Sequence, residues 1–132
     1  MQTVQQSDKE QAPATPLALA AADFLRSLTA ERGLSANTVA AYRRDLDQFI
    51  LFIERDGAKP PQAVTAEDIN RFLVSLHRAK LAPTSTARKI AALRTFFKFL
   101  CGEGILSLNP ASAVTLPRTE RRLPGTLTPA EV

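Results

Sequence analysis

The sequence predicts an all-α protein of four helices, and three observations support this fold class. No segment alternates apolar and polar residues as a half-buried β-strand does. The nine prolines leave three long proline-free intervals, which follow Pro16, Pro61 and Pro83, and proline occurs at helix boundaries rather than inside helices. Within these intervals apolar residues recur at every third or fourth position, which is the period of a helix that packs one face against a core.

The first predicted helix starts at Pro16 with Thr15 as its N-cap residue, and Gly33 closes it. The second opens with Ser35 as N-cap and ends at Asp56-Gly57. Their apolar faces are formed by Leu17, Ala21, Phe24 and Leu28 in the first helix, and by Val39, Tyr42, Leu46, Phe49, Ile50 and Ile53 in the second.

The third predicted helix opens with Thr65, and Asp68 three residues later makes a start that resembles a capping box. The fourth begins near residues 84–86, whose hydroxyls are candidate caps, and it ends at Gly102 or Gly104. Their apolar faces are formed by Ile69, Phe72, Leu73 and Leu76 in the third helix, and by Ile90, Leu93, Phe97 and Leu100 in the fourth.

The chain divides into four parts. Residues 1–14 are polar and rich in glutamine, which is typical of a disordered leader. Residues 15–114 form the helical domain, and residues 115–127 contain too few apolar side chains for a core and are interpreted as an extended linker. Residues 128–132 have the pattern of a helix start, which suggests the beginning of a further domain; a natural frayed terminus is the alternative.

The composition argues against a self-contained enzyme. One cysteine, Cys101, excludes a disulfide framework and a cysteine-clustered metal site, and it suits a reducing, cytoplasmic setting. One histidine excludes chemistry that needs two imidazoles, and the usual glycine-rich nucleotide loops are absent from the sequence. No stretch reaches the roughly 20 apolar residues of a membrane span. We therefore expect neither a cofactor nor a membrane contact.

The basic residues are unevenly distributed along the chain, whose formal net charge is +4. Residues 1–68 hold seven basic and ten acidic side chains, whereas residues 69–102 hold seven basic side chains and no acidic one. Because an ordinary solvated face mixes both signs, we interpret the third and fourth helices as a surface for an anionic partner such as DNA. A basic face that is merely solvated is the alternative.

Hydroxyl and amide side chains accompany these cations near the starts of the second and fourth helices. Such side chains usually act as helix caps, but beside arginine and lysine they also donate hydrogen bonds to phosphates. A helical projection places Arg88 and Lys98 on the outward arc of the fourth helix, and Lys89 and Arg94 at the sides of its buried stripe.

The side chains that suggest catalysis stand alone. Tyr42 lies on the apolar face of the second helix, which predicts a buried ring with its hydroxyl at the edge rather than a nucleophile. His77 has no companion for metal binding. Phe99 falls on the polar arc of the fourth helix, where we expect it to contact the segment after Gly104, with a partner subunit or a DNA base as the alternatives.

The start of the second helix carries a family resemblance. From Leu34 the sequence follows the pattern L-S-x-N-T-x-x-x-Y-x-x-D-L, with Tyr42 and Asp45-Leu46 at its end. It is similar to the opening of the core-binding domain of Xer-type tyrosine recombinases, in the phage integrase family. The resemblance covers about residues 17–132 and continues through residues 85–100, 109–111, 116–118 and 123–128.

The resemblance implies a four-helix, SAM-like orthogonal bundle of two helical hairpins, which forms one half of a C-shaped clamp around double-stranded DNA. The second and fourth helices would face the major groove, and the first helix would pack against a neighbouring protomer. The implied DNA contacts are Ser35, Asn37, Thr38, Arg43 and Arg44 in the second helix, Thr84, Ser85, Thr86, Arg88, Lys89 and Arg94 in the fourth helix, and Arg118, Arg121 and Arg122 in the linker.

In such recombinases the catalytic domain follows the linker, so we expect this chain to bind DNA at a recombination half-site without cleaving it. The hypothesis is a DNA-binding domain of a site-specific recombinase that acts in chromosome dimer resolution, together with other recombinase protomers in a synaptic tetramer. The isolated chain would be monomeric. The alternatives are a helical protein–protein adaptor with a basic face, and the same domain of a phage or integron integrase.

Overall fold

Four α-helices make up the fold in the computed structural model, which describes residues 15–112 and residue 114. The helices are α1 (Pro16–Ala30), α2 (Ala36–Ile53), α3 (Ala66–Arg78) and α4 (Pro83–Gly102). Short 3-10 turns at Glu54–Asp56 and Pro61–Ala63 lie between α2 and α3. The described residues contain no β-strand, and the predicted all-α fold of four helices is confirmed. None of the described helices is long and apolar enough to cross a membrane.

Side chains cap the first three helices as the sequence predicts. Thr15 Oγ1 and Ser35 Oγ each accept a hydrogen bond from the backbone N–H three residues further on, at 3.1 and 3.2 Å. At α3 the hydroxyl of Thr65 accepts from the N–H of Asp68, and the Asp68 carboxylate accepts from the N–H of Thr65. These bonds satisfy N–H groups that have no partner inside the helix.

Helix α4 begins in a different way. Its N-cap residue is Ala82, which has no side-chain acceptor, and Pro83 is the first helical residue. Thr84, Ser85 and Thr86 lie inside the helix rather than before it, so the prediction that one of them caps α4 is wrong. The fixed φ of Pro83 suits the first helical position, and the helix therefore starts without a side-chain cap.

Glycines follow the ends of α1 and α2 at the predicted places. The last residue of α1 is Ala30, and Gly33 follows with φ +63°, after which the N–H of Leu34 donates to the carbonyl of Leu28 at 3.1 Å. Gly57 follows the 3-10 turn after α2 with φ +131°. Glycine adopts such positive φ values without the steric cost that a Cβ brings.

Aromatic side chains form the centre of the core and join all four helices. Phe49 of α2 contacts Phe97 of α4 and Phe72 of α3, with ring centroids 6.1 and 5.3 Å apart. Phe24 of α1 contacts Phe96 of α4 at 5.5 Å. These four contacting helices therefore share one core, in which α2 and α4 lie against each other.

Phe99 is half-buried although it projects on the polar arc of α4. Its ring lies 5.5 Å from the ring of Phe24. Phe99 therefore packs against α1, a partner that the sequence did not predict. The sequence pattern of α4 alone could not identify α1 as the partner.

Candidate nucleic-acid interface

A buried carboxylate joins α2 to α4. Asp45 of α2 is 3% exposed. Its Oδ2 accepts a hydrogen bond from Arg88 Nε at 3.2 Å, and its Oδ1 accepts from Arg88 Nη2 at 3.0 Å. Oδ1 also accepts from Lys89 Nζ at 2.8 Å. One carboxylate on α2 thus binds two consecutive cations on α4.

These contacts keep Asp45 ionised. Burial raises the pKa of the Asp45 carboxyl, but hydrogen bonds and charges from Arg88 and Lys89 outweigh it, and the pKa lies below its ordinary value. The same hydrogen bonds raise the pKa of Arg88. The cluster of Asp45, Arg88 and Lys89 therefore carries one net positive charge.

The two cations of this cluster differ in exposure. The Arg88 side chain is 58% exposed, whereas the Lys89 side chain is 10% exposed. Thr86 is also buried. The structure therefore places Arg88 on the surface, as the sequence indicates. It buries Thr86, and it buries Lys89 against Asp45.

Arg94 binds the chain's own backbone. Its guanidinium donates to the carbonyl oxygens of Ala111 and Val114 at 3.3 and 2.7 Å. The side chain of Asn109 donates in return to the carbonyl of Arg94 at 3.3 Å. Since Ala111 and Val114 are buried, Arg94 fixes the segment that closes this end of the core.

Acids from other parts of the chain also neutralise part of the basic stretch 69–102. Asp68 is buried, and it accepts hydrogen bonds from Arg71 Nη2 and Lys59 Nζ, both at 2.9 Å. Burial raises the pKa of Asp68, but the bonds from Lys59, Thr65 and Arg71 leave it below its ordinary value. The stretch is therefore less positive in three dimensions than it is in sequence.

Part of α2 and part of α4 share one side of the bundle. Thr38 and Ala41 of α2 line a cavity of about 210 Å³ together with Arg88 and Ala91 of α4. We call this side the α2–α4 face. From the helical positions of its neighbours it consists of Asn37, Thr38, Ala41 and Arg44 on α2, and of Thr84, Arg88, Ala91, Thr95 and Lys98 on α4.

Arg43 lies away from this face. It lines a groove with Leu25 and Thr29 of α1, on the other side of α2. Lys98 is exposed, although the sequence-based set of contacts omits it. Its place on the same outward arc of the helical projection as Arg88 was the signal that could have included it.

The other predicted contacts fall into two groups. Ser35 is exposed and Ser85 is half-buried, each at the start of its helix. Arg118, Arg121 and Arg122 lie outside the described residues, as do the predicted leader and linker. The contact with DNA itself remains a prediction for every member of the set.

Tyr42 and the potential metal ligands are the described side chains that bear on catalysis. Tyr42 is half-buried, and its ring meets that of Phe24 edge-on, with centroids 5.7 Å apart. Within residues 15–112 and 114 no three potential metal ligands from histidine, cysteine, aspartate and glutamate come together. The arrangement of the α2–α4 face instead suits binding: exposed cations and hydroxyls surround small side chains that allow close approach.

The chain matches the family model "Phage integrase, N-terminal SAM-like domain" over residues 21–104. It belongs to this family. The resemblance to the Xer-type recombinases and the SAM-like fold class are thereby confirmed.

Curated relatives agree with this assignment. The chain is 43% identical over 109 residues to a protein named tyrosine recombinase XerC from Roseiflexus castenholzii. The aligned region covers 83% of the chain and 35% of that protein. The chain is 40% identical over 109 residues to tyrosine recombinase XerD from Chlorobaculum tepidum, covering 83% and 36%. It is 40% identical over 123 residues to tyrosine recombinase XerD from Mycobacterium tuberculosis, covering 88% and 40%. The chain thus spans 35 to 40% of the length of these relatives. No solved structure matches it.

Proposed function

We propose that this chain is the DNA-binding amino-terminal domain of a site-specific tyrosine recombinase and that it lays the α2–α4 face on duplex DNA at a recombination half-site. The observation that carries the proposal is the cavity between α2 and α4, which Thr38 and Ala41 line together with Arg88 and Ala91. Helical position adds the exposed Arg44 and Lys98 to the same side. The relatives named tyrosine recombinases XerC and XerD support the same function.

The physical argument is one of charge and access. Arginine and lysine attract the phosphates and release counterions, which provides much of the binding free energy. Alanine side chains let the helix backbone approach the duplex closely, and a major groove has room for an α-helix. Hydroxyls such as that of Thr38 add neutral donors for phosphate oxygens.

For the whole protein we propose DNA breaking and rejoining by a catalytic domain that lies in the part of its relatives that this chain does not span. Its proposed role is chromosome dimer resolution and segregation at cell division, with other recombinase protomers in a synaptic tetramer. A phage or integron integrase is the alternative within the same class. A helical adaptor that binds an acidic protein is the alternative from another class, and the exposed cations alone would also suit it.

The salt dependence of DNA binding tests the proposal. A triple variant, Arg44→Gln, Arg88→Gln and Lys98→Gln, is compared with the wild-type chain on a labelled duplex at several salt concentrations. Each lost phosphate contact should lower the slope of log affinity against log salt by about 0.9, so the triple variant should lose about 2.7.

The matched control removes the same charge elsewhere. Arg26, Arg55 and Arg71 are exposed, and each already has a partner: Asp23, the Phe52 ring and Asp68 respectively. Their triple replacement by Gln should leave the slope nearly unchanged. Equal slopes for both triple variants would show that the α2–α4 face is not the contact surface. Failure of the wild-type chain to bind at low salt would favour the adaptor.

A further inference from the structure

Asp45 holds Arg88 in one orientation by binding only one edge of its guanidinium. Nε and Nη2 bind the two oxygens of Asp45 at 3.2 and 3.0 Å, and this two-point contact fixes the plane of the group. An arginine has five N–H donors, and among the described residues Nη1 has no acceptor. The exposed part of Arg88 therefore keeps donors for a ligand.

Lys89 compensates the negative charge that Asp45 places beside Arg88. A carboxylate beside Arg88 would by itself cancel the arginine's attraction for an anion. The Lys89 ammonium, 2.8 Å from Asp45 Oδ1 and almost fully buried, supplies the compensating charge. The Asp45–Lys89 pair is neutral as a unit, so Arg88 keeps its full charge toward solvent.

A second donor lies in the same cavity. Ser35 Oγ donates to Thr38 Oγ1 at 3.0 Å, so the hydroxyl hydrogen of Thr38 is left for another acceptor. Thr38, Asp45 and Arg88 line the 210 Å³ cavity between α2 and α4, with Ala41, Ala91 and Ala92 as its small side chains. Two donors and a net positive charge at one opening match the chemistry of a phosphate diester oxygen.

We propose that Asp45 and Lys89 are positioning residues for DNA binding, which hold Arg88 so that Arg88 and the Thr38 hydroxyl bind one backbone phosphate at the mouth of this cavity. The inference rests on the proposed function and deepens it. Neither Asp45 nor Lys89 touches the DNA. Lys89 in particular is then a support for Arg88 and not a phosphate contact of its own.

The test measures how much Arg88 contributes to DNA affinity in two backgrounds. In the wild-type chain, Arg88→Gln should weaken binding to duplex DNA about tenfold, the loss expected for one strong hydrogen bond. In the double variant Asp45→Leu and Lys89→Met, which removes the buried pair together and keeps Arg88, the same change should cost less than about threefold. Arg44→Gln is the control, and its cost should be the same in both backgrounds.

If the double variant does not fold, a second variant tests whether Asp45 and Lys89 position Arg88. Arg88→Lys keeps the charge at an exposed position but loses the two-point contact with Asp45. It should bind DNA nearly as weakly as Arg88→Gln. Wild-type affinity for Arg88→Lys, or an equal cost of Arg88→Gln in both backgrounds, would overturn the positioning role while leaving the proposed function intact. Absence of DNA binding by the wild-type chain would instead refute the proposed function.

Discussion

The carboxylate of Asp45 on α2 and the ammonium of Lys89 on α4 lie 2.8 Å apart inside the protein. They are 44 residues apart in sequence, and both side chains are almost completely buried. Desolvation of two charges is costly, and the pair repays it through its short contact and the added bonds from Arg88. The contact therefore ties two helices of the candidate interface to each other.

Removing one partner of this pair should be strongly destabilising. Asp45→Ala leaves the Lys89 ammonium buried without a counter-charge, and we expect a loss of about 3–5 kcal/mol in the free energy of unfolding. Asp47→Ala removes an exposed carboxylate from the same helix and should cost less than about 0.5 kcal/mol. Urea denaturation measures both. Similar losses for the two variants would contradict the structural role of the pair.

The stability of the fold should fall in acid. Asp45 and Asp68 have pKa values below their ordinary value of 3.8, so the unfolded chain binds protons more readily than the folded chain. Their contribution is complete above the ordinary pKa and is lost as the pH falls through the folded-state pKa values. Urea midpoints measured from neutral pH down to pH 2 should show this decline. In the variant Asp68→Asn the urea midpoint should fall less steeply with decreasing pH. A curve parallel to that of the wild type would contradict the contribution of Asp68.

A side-chain cap should stabilise α4. Ala82 has the extended backbone of an N-cap residue, with φ −60° and ψ 144°, but it offers no acceptor. Ala82→Ser should therefore raise the free energy of unfolding by about 0.5–1 kcal/mol. Thr84→Ser, inside the helix, is the control and should change it little. Thermal unfolding distinguishes the two, and no gain from Ala82→Ser would mean that another group already satisfies the first turn.

Substitutions of Arg94 and Lys98 should have opposite effects on stability and on DNA binding. Arg94→Met loses two charge-assisted hydrogen bonds to carbonyls, and we expect it to lower stability by about 2 kcal/mol while leaving the salt slope of DNA binding nearly unchanged. Lys98→Met should do the reverse, with little effect on stability and a slope lower by about 0.9. A slope change for Arg94→Met equal to that for Lys98→Met would show that Arg94 also contacts phosphate.

Most of the fold was predictable because its signals are local. A cap, a proline at the first helical position and a glycine after the last turn each act on backbone groups within about four residues, and Thr65 with Asp68 is such a case. The start of α4 was misassigned since three hydroxyls follow Pro83 and each could cap in isolation. The backbone at Ala82 decided between them, and a pattern of residue types does not contain that information.

The candidate interface was predictable only in part. The outward positions of Arg88 and Lys98 on α4 and the exposed start of α2 follow from helical periodicity, and these residues are exposed as expected. The cations of α4 are not equivalent, and periodicity does not show which group each of them binds. Arg88 faces solvent, Lys89 pairs with an acid on another helix, and Arg94 binds carbonyls of the segment that follows α4.

The sequence by itself determined the helices, their order and the resemblance to a recombinase family, because periodicity, caps and motifs are read along the chain. Only the tertiary structure decided which charges are available to a partner. The physical reason is that a charge is neutralised by whatever lies within a few ångströms. Asp45 of α2 neutralises Lys89, and Asp68 at the start of α3 neutralises Arg71. The packing of one helix against the next thus turns a uniformly basic stretch into a surface with a few exposed cations.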